Sequence, residues 1–305
     1  MLKNCHRLAA IGLLLSLTWP VAAQNSPWRA ADQLTGTLKK IKDSGVIVLG
    51  HRENSIPFAF RNAQGQPIGY SIDLCKAVAQ EVGAELGITE LRIDYQPVTP
   101  ENRFARVRLG EVDLECGSTT DNQERRQQVA FSPTIFVTGT KLLVKKDGSI
   151  RRLRDLRGHA VAVTRDTSNA AAMQAFAERQ RLGLTFVTGA DHQESFGLLA
   201  EGKADAFAND EVLLYGMLAE TKSGSRYRII SDFLSYEPYG LMYRKDDSQF
   251  ADVIERTFRQ LAESREIVWI YDRWFLKPLP SGIRLNLPMN AQLRELFQML
   301  GLPAG

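Results

Sequence analysis

The chain has 305 residues, of which 44% are hydrophobic and 24% charged; this composition excludes disorder and fibrous repeats and supplies apolar mass for one large domain or two medium ones. Its 38 Lys and Arg against 35 Asp and Glu do not make the broad positive field that nucleic-acid binding draws on, so no nucleic-acid partner is expected and basic chemistry should be local.

Residues 1–23 read as an export signal. Lys3 and Arg7 open it, Leu8 to Val21 is largely apolar, and Val21-Ala22-Ala23 offers a small-residue cleavage site before Gln24. The apolar run, about 14 residues with Ser16, Thr18 and Pro20 inside it, is short of the roughly 20 that a membrane span needs. Cys5 comes too early to be the lipid-modified first residue of a mature lipoprotein. The expectation is a soluble exported protein beginning near Gln24.

Beyond the leader only Cys75 and Cys116 remain. In an oxidising compartment two cysteines invite one disulfide, worth roughly 4 kcal/mol in loop entropy; two buried free thiols are the other reading. The sequence has no CxxC, no HExxH and no Cys/His cluster, so neither a metal nor a cofactor is expected.

Val46-Ile47-Val48-Leu49 is a short continuous apolar run, as expected of a parallel strand covered on both faces. Ile72, Cys75, Val78, Ala79 and Val82 follow at helical spacing. Next come a strand-like Leu91 to Val98, a helical Asn102 to Leu109 and a strand at Val112 to Glu115. This βαβαβ order predicts an α/β sandwich lobe. The second half repeats the plan: a strand at His159 to Val163, a helix at Asn169 to Arg181, a strand at Leu184 to Val187, a helix at Ser195 to Glu201 and a strand at Ala204 to Ala208. Leu109-Gly110-Glu111-Val112-Asp113-Leu114 and Glu201-Gly202-Lys203-Ala204-Asp205-Ala206 echo each other at the same helix-to-strand turn.

Thr138 to Val144 and Tyr239 to Tyr243 read as two strands crossing between the lobes. Helical patterns at Ser248 to Ala262 and Glu266 to Phe275 then bring the chain back to the first lobe, with Trp269 and Trp274 expected in its core. The predicted organisation is lobe 1 at 24–137 and 242–280, lobe 2 at 138–241, and a C-terminal extension at 281–305. Ligands of such open α/β sheets bind beyond the carboxyl ends of the strands. Polar residues crowd those ends: His51-Arg52-Glu53-Asn54-Ser55, Gly117-Ser118-Thr119-Thr120-Asp121-Asn122, Glu124-Arg125-Arg126, Thr164-Arg165-Asp166-Thr167-Ser168, His192 and Asn209-Asp210-Glu211. Hydroxyls, amides and Arg forks suit a carboxylate, and acceptors beside them suit a zwitterion.

Gly69-Tyr70-Ser71-Ile72-Asp73-Leu74, Glu115-Cys116-Gly117-Ser118-Thr119-Thr120, Glu124-Arg125, Phe131-Ser132 and Asp272-Arg273-Trp274-Phe275 resemble the periplasmic solute-binding proteins of polar amino-acid ABC transporters, most of all their glutamate/aspartate-binding branch. The likeness runs from about Gly45 to Phe275 and on through Asn286-Leu287-Pro288-Met289-Asn290 to a last amphipathic helix. It implies a two-lobed, type II-like periplasmic-binding-protein fold, a monomer, an acidic amino acid as ligand and a membrane permease as partner.

By the same resemblance Arg125 holds the ligand α-carboxylate with Thr120 and Ser168. Asp210 accepts from the α-ammonium beside Ser118, and Arg52, Arg103 and His192 face the side-chain carboxylate. Pro100 stands where the branch places a hydroxyl and Ser168 where it places Thr, so glutamine or another polar amino acid is the alternative ligand. A hydrolase built on Ser118 and His192 lacks a GxSxG turn. A lyase or dehydratase on the same scaffold needs an acid in the cleft, for which Glu53 and Glu211 are the nearest in sequence.

Overall fold

A computed structural model describes residues 33–230 and 233–304; the expected leader and Cys5 lie outside the described residues. After α1 (Gly36–Ser44) the chain runs through β1 (Val46–His51), a small ribbon of β2 (Asn54–Ser55), β3 (Ala59–Arg61) and β4 (Pro67–Ile68), then α2 (Tyr70–Leu86), β5 (Arg92–Pro97), α3 (Arg103–Arg108), β6 (Leu114–Cys116) and β7 (Val129–Phe131). It continues with β8 (Phe136–Thr138), β9 (Thr140–Lys145), β10 (Ala160–Thr164), α4 (Ser168–Arg179), β11 (Thr185–Gly189), α5 (His192–Ala200), β12 (Ala206–Asp210), α6 (Glu211–Glu220), β13 (Tyr227–Ile230), β14 (Glu237–Tyr239) and β15 (Met242–Arg244). Three helices close the chain: α7 (Ser248–Glu263), α8 (Glu266–Phe275) and α9 (Ala291–Met299).

Two five-stranded sheets carry the two lobes, in the orders β5-β1-β6-β15-β7 and β11-β10-β12-β9-β13. Each has three parallel strands, then one antiparallel strand supplied by the crossover, then an edge strand. The repeated turn explains the match in plan. Gly110 and Gly202 take left-handed φ of 71° and 76°, which glycine adopts without steric cost. The Asp three residues on then docks on the first strand of its lobe. Asp113 donates its N–H to Val48 O at 2.9 Å and accepts from Val48 N at 2.9 Å; Asp205 does the same with Ala160, at 2.8 and 3.0 Å.

The crossing segments differ from expectation. Each expected single strand is two: β8 and β14 pair with each other, while β9 joins the second sheet and β15 the first. One straight strand cannot hydrogen-bond in two sheets, so the chain turns at Gly139, where a Cβ would collide with the Phe233 ring. Six rings, Phe58, Tyr70, Phe136, Tyr239, Tyr271 and Phe275, pack around the β8/β14 pair at centroid spacings of 4.4 to 6.2 Å, edge-to-face and stacked arrangements that add to simple burial. The hinge strands are thereby anchored to α2 and α8 on lobe 1.

Helices α7 and α8 pack on α1 and α2. Trp274 is buried, its Nε1–H donating to Asp73 at 2.8 Å, but Trp269 is 74% exposed and is not core. Five residues at 100° each put the two indoles about 140° apart, on different faces of α8. Helix α9, capped by Asn290, buries Leu293 and Phe297 and contacts β8. Cys75 of α2 and Cys116 of β6 form a disulfide with Cα atoms 6.1 Å apart. Among the described residues no helix is long and apolar enough to cross a membrane.

Candidate functional site

Seven of the eight residues singled out for ligand contact lie at a strand's carboxyl end or on the helix that follows, and the eighth, Arg125, opens a short 3-10 turn (Arg125–Gln127) between β6 and β7. Arg52 follows β1, Arg103 opens α3 after β5, Ser118 and Thr120 follow β6, Ser168 opens α4 after β10, His192 opens α5 after β11, and Asp210 ends β12. The parallel order aims all these ends at one cleft, and three groupings result.

The first is cationic. Arg52 and Arg103 are each 3% exposed, and Arg52 Nη2, Arg103 Nε and Arg103 Nη1 have no hydrogen-bond partner. Arg103 Nη2 donates across the cleft to Asp166 O at 3.2 Å. Burial pushes both guanidinium pKa values down, that of Arg103 further because Arg52 and Arg125 repel it. His192 faces the same region with Nδ1 at 3.1 Å from Thr164 Oγ1. Burial, then repulsion from Arg52 and Arg103, holds it well below the usual histidine range. His192 therefore offers this region a hydrogen-bonding dipole and not a third positive charge. Asp191, the residue before it, caps α5 by accepting from Glu194 N.

The second grouping surrounds Arg125. Its Nη1 donates to Thr120 O at 2.8 Å, and its guanidinium and that of Arg103 lie 5.3 and 4.8 Å from the Phe104 centroid. Thr120 and Ser168 touch across the cleft at 3.1 Å, and both hydroxyls donate to Glu237 Oε2 at 2.6 Å. Ser168 also opens α4, where the N-cap Thr167 takes the Ala170 N–H and the N–H groups of Ser168 and Asn169 have no intrahelical acceptor. A groove of about 490 Å³ lined by Pro100, Phe104, Arg125 and Ser168 leads to this region.

The third is anionic. Asp210, 3% exposed, accepts from Asn169 Nδ2 at 2.8 Å and from Tyr239 OH. It stands at the cap position of α6 yet makes no side-chain capping bond, so helix capping does not explain it. Burial, with repulsion from Glu237, raises its pKa to about 7. Ser118 Oγ is buried without a partner.

Two buried carboxylates of the cleft escaped sequence reasoning, Glu115 and Glu237, 0% and 2% exposed. Glu115 stands in the Glu115-Cys116-Gly117-Ser118 motif, and an acid inside an otherwise apolar strand was the available signal. Glu237 had none, because only the crossing of β14 brings it to Thr120 and Ser168. The acids considered from sequence are engaged elsewhere: Glu53 pairs with Arg61, and Glu211 with Lys141 at 2.6 Å. Among the described residues no group of three or more His, Cys, Asp or Glu could hold a metal.

Two α/β lobes with a paired-strand hinge and a polar cleft between them define the periplasmic-binding-protein fold. The chain belongs to the bacterial extracellular solute-binding proteins, family 3, which it matches over residues 47–277. An L-glutamate/L-aspartate-binding protein of Pseudomonas aeruginosa is 43% identical over 279 residues, covering 91% of this chain and 92% of that one. A glutamate/aspartate import solute-binding protein of Salmonella typhimurium is 39% identical over 263 residues, covering 86% and 87%. Among solved structures, an ancestral amino acid-binding protein described as a precursor of cyclohexadienyl dehydratase aligns at TM-score 0.68 with 26% identity, covering 78% of this chain and 99% of the other. These curated sequence relatives are binding and import proteins, not enzymes.

Proposed function

We propose that this protein is exported, loses its leader after Ala23, and captures glutamate or aspartate for delivery to the permease of an ABC importer, working as a monomer. The observation that carries this reading is the pair Arg52 and Arg103: two buried guanidiniums whose unpartnered N–H groups leave a net cation demand that a ligand carboxylate satisfies. Arg125, with the free N–H groups opening α4, holds the α-carboxylate, and the hydroxyls of Thr120 and Ser168 join when Glu237 releases them. Asp210 takes the α-ammonium beside Ser118. Arg52 and Arg103 take the side-chain carboxylate, and neutral His192 adds a directional hydrogen bond rather than charge.

The division of labour also assigns 24–137 and 242–280 to one moving body, 138–241 to the other, and 281–305 to an extension that rests on the hinge. Calorimetry against the common amino acids tests the reading. Glutamate or aspartate should bind at least about a hundredfold more tightly than leucine, a gap of roughly 2.7 kcal/mol. In Arg103→Ala acidic ligands should lose far more than glutamine. Equal losses, or a wild-type preference for an uncharged or basic amino acid, contradict it. Glutamine is the hardest competitor, since Pro100 offers no hydroxyl donor.

A further inference from the structure

Glu115 is a cleft residue to which the binding roles above assign nothing. It occupies the middle of β6, in register with Gly50 of β1 and Met242 of β15, a position where an ionised carboxylate is costly unless compensated. Strand alternation turns Leu114 and Cys116 to one face, where Cys116 is bonded to Cys75 of α2, and turns Glu115 to the other, toward Arg52 and Arg103. The backbone makes room for this: a Cβ on Gly117 would collide with Glu115 Oε1 and crowd Arg52 Cγ at 3.1 Å.

Only one carboxylate oxygen is held. Thr119 Oγ1 donates to Oε2 at 2.8 Å, while Oε1 has no partner, like Arg52 Nη2 and Arg103 Nε and Nη1 beside it. Glu115 is thus not tied to either arginine by a hydrogen bond. It acts on them through space in a region closed to water, where Coulomb interactions are weakly screened. Burial raises the Glu115 pKa, and Arg103 and Arg52 oppose that rise; with His192 contributing no charge and Arg125 given to the α-carboxylate, the ionised Glu115 offsets one of the two guanidiniums left for the ligand side chain.

We propose that Glu115 sets the charge capacity of this pocket: as a fixed countercharge to Arg52 and Arg103 it admits a ligand side chain bearing one negative charge and rejects one bearing two, such as a phosphomonoester. The inference rests on the acidic-amino-acid reading. It makes Glu115 a specificity residue, since a second ligand charge would lie beside the Glu115 carboxylate with no cation left to offset it.

The test compares L-glutamate with O-phospho-L-serine at pH 8, where the phosphate is close to dianionic. In the wild type glutamate should win by at least about a hundredfold. Glu115→Gln should shrink that ratio by about tenfold or more, chiefly by tightening phosphoserine, a change of roughly 1.4 kcal/mol. Glu115→Asp should keep the wild-type ratio. An unchanged ratio in Glu115→Gln with tight glutamate binding overturns this inference alone, whereas a wild type that does not bind acidic amino acids overturns the reading beneath it as well. Should Glu115→Gln fail to fold with two uncompensated cations, the double variant Arg103→Gln/Glu115→Gln restores the single positive charge. It should then fold with most of the wild-type melting temperature; a double variant no more stable than Glu115→Gln refutes the charge balance.

Discussion

The two lobes are built to one plan and carry opposite chemistry. Both run three parallel strands, an antiparallel return and an edge strand, and both fasten the turn before the third strand with an Asp that exchanges hydrogen bonds with the first. Yet lobe 1 brings three arginines to the cleft and lobe 2 brings Asp210, a neutral imidazole and the opening of α4. Backbone geometry repeats because hydrogen-bonded sheet and turn are generic. Charge does not repeat, because a zwitterion with an anionic side chain presents different faces to the two walls, and closure must match each face to its complement.

The largest test of that polarity removes one charge from each wall. Arg125→Ala and Asp210→Asn should each weaken every amino-acid ligand about a thousandfold, near 4 kcal/mol, because each strands a desolvated partner charge on the ligand; Kd by calorimetry decides. A loss confined to acidic ligands would mean that Arg125 serves the side chain, reversing the assignment.

Lobe 1 alone carries the disulfide. Replacing both Cys75 and Cys116 by Ala should cost about 2 to 4 kcal/mol in urea unfolding. Glutamate affinity measured well below the unfolding midpoint should be nearly unchanged, since neither sulfur lies among the binding groups. A large affinity loss would show that the staple positions Glu115 and Ser118 as well as closing a loop.

Lobe 2 carries a buried acid pushed toward neutrality. Burial, with repulsion from Glu237, pushes the Asp210 pKa up to about 7 in the folded protein, from the ordinary carboxylate value of 3.8. The folded state therefore binds more protons than the unfolded one between roughly pH 4 and 7, and this group makes stability fall as pH rises across that window. Ligand ammonium needs the ionised form, so affinity should rise by roughly tenfold per pH unit from pH 5 toward 7 and level off above it. Titrations in buffers of different ionisation enthalpy should detect proton release at pH 6 and little at pH 8. A Kd flat from pH 5 to 8 would remove Asp210 from the ammonium site.

The smallest test uses the paired turns. Asp113 is buried, its side chain 1% exposed, and also takes Lys40 at 2.8 Å, whereas the Asp205 side chain is 47% exposed. Asp113→Ala should cost about 2 to 3 kcal/mol and Asp205→Ala about 1 or less, since the same backbone bond is worth more where water cannot replace it. Equal costs would mean that the turn itself, not its burial, sets the energy.

How much of this was legible in the chain depended on the range of the interaction that decides it. The βαβαβ order of both lobes, the repeated Gly-x-x-Asp turn and the helical character of α7 and α8 follow from periodicity and local turn chemistry, so the sequence by itself determined them. Arg52, Ser118 and Asp210 were readable as residues of the cleft because a strand's carboxyl end is a local address. The tertiary structure alone decided that β8 and β14 pair as a hinge inside a cluster of six rings, that Trp269 and Trp274 part onto different faces of α8, that His192 is neutral, and that Glu115 and Glu237 stand among the arginines and hydroxyls of the cleft. Each of those outcomes depends on groups distant in sequence meeting where water is excluded. Desolvation and charge coupling act through space, and one-dimensional spacing carries no record of them.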